Sequence, residues 1–264
     1  MRTDSRKKGE KNRRLRLWAV AVWLLLWELL SRHIGQDILL VSPVSVLVRL
    51  LELITGKGEA ARAAAFWGAA AFSFCRIIGG FLAASAAGVL LACLAGALRP
   101  AEEFLAPAMT ALKAVPVASF IILVLIWIPS RNLSVVISFL MVLPIVYTNM
   151  MEGIRSMDAQ LLEMARVFQV PLARRIRYIY LSQLLPFLRT AFSLSLGLCW
   201  KAGIAAEVIG IPDGSIGERL YEAKVYLQTA DLFAWTLVIV TLSVGFEKCF
   251  LYAADRAVAR LEQS

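Results

Sequence analysis

Six apolar stretches, each near the length that crosses a bilayer as a helix, constrain this chain more than any other feature of it. A hydrocarbon core of about 30 Å takes roughly 20 apolar residues in an α-helix. Inside that core only helices or closed barrels satisfy their own backbone groups. The stretches run from about Leu17 to Ile34, Phe72 to Leu98, Phe104 to Ile128, Leu133 to Met151, Phe187 to Ile211 and Leu232 to Tyr252. Hydrophobic residues make up 59% of the chain, above the roughly 45–50% of a soluble domain. The expected fold class is all-α: a polytopic membrane protein with about six transmembrane helices. A basic tail over residues 1–16 precedes a single transmembrane domain over 17–264.

The charge distribution orients these spans. The net charge of +9 could signal nucleic acid, but eight basic residues precede Leu17 and six more fall in the Gly153–Arg189 loop. Basic residues flanking apolar spans belong to cytoplasmic loops, so no nucleic-acid partner is expected. With the N-terminus inside, the inner segments (including Lys248, at the inner end of the last span) hold 18 of the 28 Lys+Arg, and the outer segments hold seven. This predicts both termini in the cytoplasm of a cell-membrane protein, and a cytoplasmic Gly153–Arg189 loop. The first span follows the basic run RKKGEKNRRLR, but Ser31, Arg32 and His33 provide no small-x-small cleavage site, so it reads as a retained span.

Enzymatic signals are missing. Cys75, Cys93, Cys199 and Cys249 form no CxxC pair and read as small buried hydrophobes. With a single histidine, His33, no metal site is expected. Gly56-Lys57 is followed by Gly58 rather than Ser or Thr, so there is no Walker A loop. No catalytic residues and no bound cofactor are expected on this chain.

Within the second stretch, Gly80, Ala84, Gly88, Ala92 and Gly96 recur every fourth residue. Small residues on one helix face allow close helix approach in lipid, within the chain or across a dimer. Ionisable groups inside spans are functional candidates by default. Arg76 either snorkels to the interface or lines a path. Lys113 lies beside Pro116, which frees carbonyls for it to meet. Lys201 and Glu207 are about 120° apart around a helix, so they are not natural partners. A cation at Lys201 favours an anionic solute; a structural ion pair is the other reading. Pro116 and Pro144 predict kinks, and the turn-rich Ile211–Gly217 predicts a cap on the outer end of the fifth span.

The long basic loop reads as a helix–turn–helix. Asp158 is a good N-cap and Pro171 a stop. Between them Leu161, Leu162, Ala165 and Phe168 share one face, while Glu163, Arg166 and Gln169 lean away. After Pro171, Leu172, Ile176, Ile179 and Leu184 form a second stripe, with Arg174, Arg175 and Arg177 off it. A basic interfacial helix on anionic lipid accounts for the arginines. It does not account for the first helix, which is less basic and has its own apolar face, so the pair predicts docking to a soluble partner.

That loop resembles the EAA motif of ABC importer permeases, E-A-A-x3-G-x9-I-x-L-P. Glu163, Ala165, Ile179 and Leu181 match; Met164, Gln169 and Ser182 depart. Gln169 stands where a glycine marks the turn, so the bend is expected to shift toward Pro171. The segments SFCRIIGG (Ser73–Gly80), Ala114–Trp127 and LCWKAGIAAEVIGIPDGSIG (Leu198–Gly217) are similar to the nitrate/sulfonate/taurine branch of these permeases. The resemblance implies a type I ABC importer permease fold. It also implies a permease that moves a small, anionic, sulfonate-, taurine- or nitrate-like solute by alternating access. Pyrimidine vitamin precursors are carried by the same branch.

The implied partners are a cytoplasmic ABC ATPase that binds ATP and Mg, an extracytoplasmic substrate-binding protein, a second permease copy in a homodimer, and membrane lipid. Asp158, Leu162, Glu163, Ala165, Arg166, Phe168, Gln169 and Pro171 would form the coupling segment. Arg76, Lys201 and Glu207 would serve the translocation path. The competing reading is an ion-gradient-driven secondary transporter, which predicts inverted repeats; none is evident in the sequence.

Overall fold

The computed structural model describes the backbone of residues 3–36 and 38–263 and the side chains of 18–36 and 38–256. The side chains of the basic tail at 1–16 lie outside that set. Among the described residues there is helix and loop, and no strand. The helices are α1 (Thr3–Ile34), α2 (Pro43–Thr55), α3 (Ala60–Ala97), α4 (Arg99–Ala114), α5 (Val117–Leu125), α6 (Ser130–Arg155) and α7 (Ala159–Val167). They continue with α8 (Leu172–Arg175), α9 (Leu181–Gly210), α10 (Ile216–Val225) and α11 (Thr229–Gln263).

Four helices among the described residues are long and apolar enough to cross a membrane: Ala60–Ala97, Ser130–Arg155, Leu172–Gly210 and Thr229–Arg256. The pair α4 and α5 makes a fifth only as a broken span, bent by 104°. The continuous third span expected over Phe104–Ile128 is thereby corrected. Pro116 forces the preceding Val115 into an extended conformation (φ −75°, ψ 129°) and itself caps α5. The stretch expected from Leu17 lies in α1, and its first residue has no described side chain.

The contacts form two compact units. One comprises residues 1–67 and 219–237. Here Ser42 caps α2 by accepting the Ser45 N–H at 3.2 Å, and Gly56 ends that helix with φ +66°. The Trp27 indole N–H donates to the Val41 carbonyl at 3.0 Å, and the Thr229 hydroxyl donates to the Ile38 carbonyl at 2.6 Å. Val41, Val46 and Ala234 form the core beneath Trp27 and Phe233. Arg49 bridges α2 to α11, its Nη2 donating to Asp231 at 2.9 Å while Nη1 reaches Glu52 at 3.0 Å. Asp231 foremost raises the Arg49 pKa, so the guanidinium stays charged.

The other unit comprises residues 68–218 and 238–264. Its core joins α5, α6 and α9 through Ile121, Val124, Leu133, Ile137, Met141, Ala202 and Ala206. Phe81, Phe192, Phe246 and Phe250 stack edge-on between α3, α9 and α11. The small-residue stripe of α3 faces α6. A Cβ on Gly88 would lie 2.9 Å from the Val146 Cβ, and one on Gly96 would lie 2.9 Å from Ile154 Cγ2. At Gly80 an added Cβ would run into the Val135 carbonyl, while Ala84 and Ala92 are buried in the same row.

Three further expectations are corrected. The second loop helix does not stand apart from the fifth span: α8 passes through a π-helical turn, Ile176–Tyr180, directly into α9. The hydrophobic stripe therefore extends the span rather than lying beside it. Cys75, Cys93 and Cys249 are exposed and only Cys199 is buried. Like Leu82, Leu90 and Val240, they sit on helix faces that no other described residue covers, which lipid tolerates because a thiol is weakly polar. The second apolar helix begins at Ala60 rather than near Phe72, because an alanine-rich start continues the helix without raising its hydropathy.

Candidate coupling helix and buried carboxylate

Two constellations bring expected site residues into defined geometry. The first is α7 and its turn. Asp158 caps α7, its Oδ1 accepting the Gln160 N–H at 2.8 Å, while the Asp158 N–H donates to Gln183 Oε1 of α9 at 2.9 Å. Ala165, 1% exposed, seats the helix, with Leu162 half-buried beside it. The rest of its apolar surface is exposed: Val167 is 78% and Phe168 75% exposed, and Leu161 and Met164 are exposed too. Glu163 and Arg166 are exposed on the same short helix. Arg175 Nε and Gln183 Nε2 at its base are buried with no acceptor among the described residues.

The turn itself differs from the expected shift to Pro171. Gln169 takes the left-handed conformation, φ +50°. Its N–H donates to the Arg166 carbonyl at 3.1 Å, and the Val170 N–H donates to the Ala165 carbonyl at 2.9 Å. This is the Schellman pattern, in which a glycine is usual. Gln169 fills the glycine's position and the glycine's backbone state; Pro171 comes after the bend and caps α8.

The second constellation is Glu207, 0% exposed, near the C-terminal end of α9. Ser73 Oγ of α3 lies 2.5 Å from Glu207 Oε2 and accepts the Ile216 N–H at 2.9 Å. The Gly217 N–H donates to Glu207 Oε2 at 3.3 Å. A side chain at Gly217 would strike the Glu207 backbone, so glycine is what lets the chain return this close. The result clamps the 211–217 loop onto α3 and α9. Ile211 enters that loop with φ +44°, a strained state for a β-branched residue. Glu207 Oε1 and the Ser134 hydroxyl are both buried and face each other, and neither makes a hydrogen bond of ordinary geometry among the described residues.

Arg76 and Glu207 lie within electrostatic range of each other, while Lys201 stands apart from both. Arg76 donates to Asn132 Oδ1 at 2.8 Å and lies over the Phe72 ring. Lys201 is exposed, and among the described residues it has no ion-pair partner. Ser73, the closest partner of Glu207, has no signal in the sequence, because 134 residues separate the two and a lone serine carries no pattern. Among the described residues no cluster could hold a metal ion.

Residues 84–260, more than half of the chain, match the family described as "Binding-protein-dependent transport system inner membrane component". The chain is 28% identical over 225 residues to the putative aliphatic sulfonates transport permease protein SsuC of Bacillus subtilis, covering 84% of this chain and 78% of that one. It is 24% identical to the nitrate import permease protein NrtB of Synechococcus elongatus, over 90% of this chain and 84% of that one. The bicarbonate transport system permease protein CmpB of the same organism is 25% identical over 75% of this chain and 68% of its own length. The helices α6, α9 and most of α11, the α3 stripe from Ala84 onward and the exposed helix of the EAA-like loop fall within the matched region, and the chain belongs to this family of multi-pass membrane permeases of ABC transporters.

Proposed function

We propose that this chain is a permease subunit of an ATP-driven importer of a small oxyanion, coupled through α7 to a cytoplasmic ATPase. The observation that carries the reading is the uncovered apolar face of α7. A nine-residue helix with Val167 and Phe168 largely exposed leaves apolar surface that a partner cleft would bury. The Gln169 turn then joins α7 to Leu172–Gly210, 39 residues of continuous helix, or roughly 58 Å at 1.5 Å per residue. A displacement of α7 would travel along this one element to the Glu207 clamp.

In this account ATP binding closes the ATPase dimer, α7 moves with its cleft, and the spans swing between inward- and outward-facing states. Glu163 pairs with a basic group of the ATPase, and truncating one partner of a desolvated pair costs about 2–5 kcal/mol. ATP and Mg belong to that subunit; this chain binds no cofactor. Both termini lie in the cytoplasm, a second copy completes the pathway as a homodimer, and an extracytoplasmic binding protein delivers the solute. The relatives named for sulfonates, nitrate and bicarbonate all handle small oxyanions, which supports that class here. Co-purification with the candidate ATPase tests the reading: wild type retains it and Glu163→Arg releases it. A wild type that retains no ATPase would sink it.

A further inference from the structure

A cavity of about 620 Å³ lies between α4 and α6, lined by Met109, Thr110, Lys113, Tyr147, Thr148 and Glu152 among others. One end is closed by an ion pair between Arg155 of α6 and Glu102 of α4. From that pair, Lys113 lies about three turns along α4, at the opposite end, while Tyr147, about two turns along α6, sits between the two ends within electrostatic range of Glu102 and Arg155. The polar groups there are not equivalent. Thr110 donates its hydroxyl to the Ala106 carbonyl at 2.9 Å, and Thr148 donates to the Pro144 carbonyl at 2.5 Å. Both hydroxyl protons are engaged. Lys113 has no ion-pair partner among the described residues, and its three N–H donors are uncommitted. The Tyr147 side chain is buried, and its hydroxyl makes no hydrogen bond among the described residues. The remaining carboxylate, Glu152, lies five residues beyond Tyr147, toward the ion-paired end.

We propose that the Lys113 end of this cavity is an anion-binding site for a sulfonate- or nitrate-like oxyanion, with the Tyr147 hydroxyl as a donor on its wall. Lys113 brings free donors and a positive charge to a space that holds a small solute, about three turns of α4 from Glu102, whose charge Arg155 already meets. The proposal deepens the importer reading and rests on it for the solute's biological role. The binding chemistry needs neither ATPase nor binding protein.

Thiol labelling of the full chain in nanodiscs tests it. Cys75, Cys93 and Cys249 are replaced by serine, and Thr110→Cys places a thiol on the cavity wall one turn from Lys113. Labelling by a methanethiosulfonate carrying a sulfonate is compared with labelling by one carrying a trimethylammonium. A nearby fixed cation should favour the anionic reagent, so Lys113→Gln should lower the anionic-to-cationic rate ratio by at least about fivefold. Lys113→Arg, which keeps the charge, should retain the ratio, and millimolar methanesulfonate should slow anionic labelling only where the charge is present. The proposal is overturned if Lys113→Gln leaves the ratio unchanged, if Lys113→Arg loses it equally, or if methanesulfonate gives no protection. A chain that passes this test but retains no ATPase would instead have failed the importer reading.

Discussion

Replacing Gln169 by glycine should tighten the bend between α7 and α8. A non-glycine residue in the left-handed region costs about 1–2 kcal/mol, and Gln169 sits there with φ +50°. Glycine removes that cost but gives back about 0.5–1 kcal/mol through its greater freedom when the turn opens. The net gain is about 0.5–1 kcal/mol, or about two- to fivefold in the opening equilibrium. The Val170 amide, bonded to the Ala165 carbonyl at 2.9 Å, reports that opening by hydrogen exchange. Exchange at Val170 should slow about two- to fivefold in Gln169→Gly and quicken in Gln169→Val, whose branched Cβ tolerates this state least. Exchange that is unchanged or faster in the glycine variant would refute the backbone account of this turn.

Gly88→Leu should separate α3 from α6, because a Cβ alone would come within 2.9 Å of Val146. Overpacking of this kind costs about 1–3 kcal/mol, to be read as a lower Tm in micelles, while Gly79→Leu, with nothing within 4 Å, should leave it unchanged. Glu207→Ala strands the Gly217 N–H and removes the partner of Ser73, so the Ile216 and Gly217 amides should exchange about tenfold faster or more, given about 1–3 kcal/mol per stranded buried group. Glu207→Gln should restore most of the protection, and equal exchange in all three proteins would count against the clamp. Lys57, and after it Arg49, hold the Glu52 carboxyl below its ordinary value of 4.5. A depressed carboxyl stabilises the fold above its unfolded pKa and loses that contribution as pH falls through the folded one. Melting followed from pH 5 downward should therefore weaken, and Glu52→Gln should flatten that trend; an identical pH profile in the variant would show that the contact contributes nothing.

The spans were legible where hydropathy alone decides them, as in α6 and in most of α9 and α11, and the cap at Asp158 was legible from its residue type. The break in the third apolar stretch was visible as Pro116, but its size was not: a proline removes one donor and restricts its neighbour, while surrounding packing sets the angle. Gln169 shows the opposite problem. Its identity argued that the turn should move, yet the two Schellman hydrogen bonds hold the bend in place against local preference. Lys201 and Glu207 were grouped because both are ionisable in one span, and the fold separates them into an exposed and a buried environment. The Glu207–Ser73 pairing rests on tertiary approach at small residues, which no local pattern records.

The central claim is that the exposed face of α7 transmits ATP hydrolysis to the spans. The direct test is ATP turnover by the permease–ATPase complex in lipid, with and without the binding protein, for wild type and Phe168→Asp. The account predicts stimulation by the binding protein in wild type and its loss in the variant, with the chain still folded. Equal stimulation in both would contradict it.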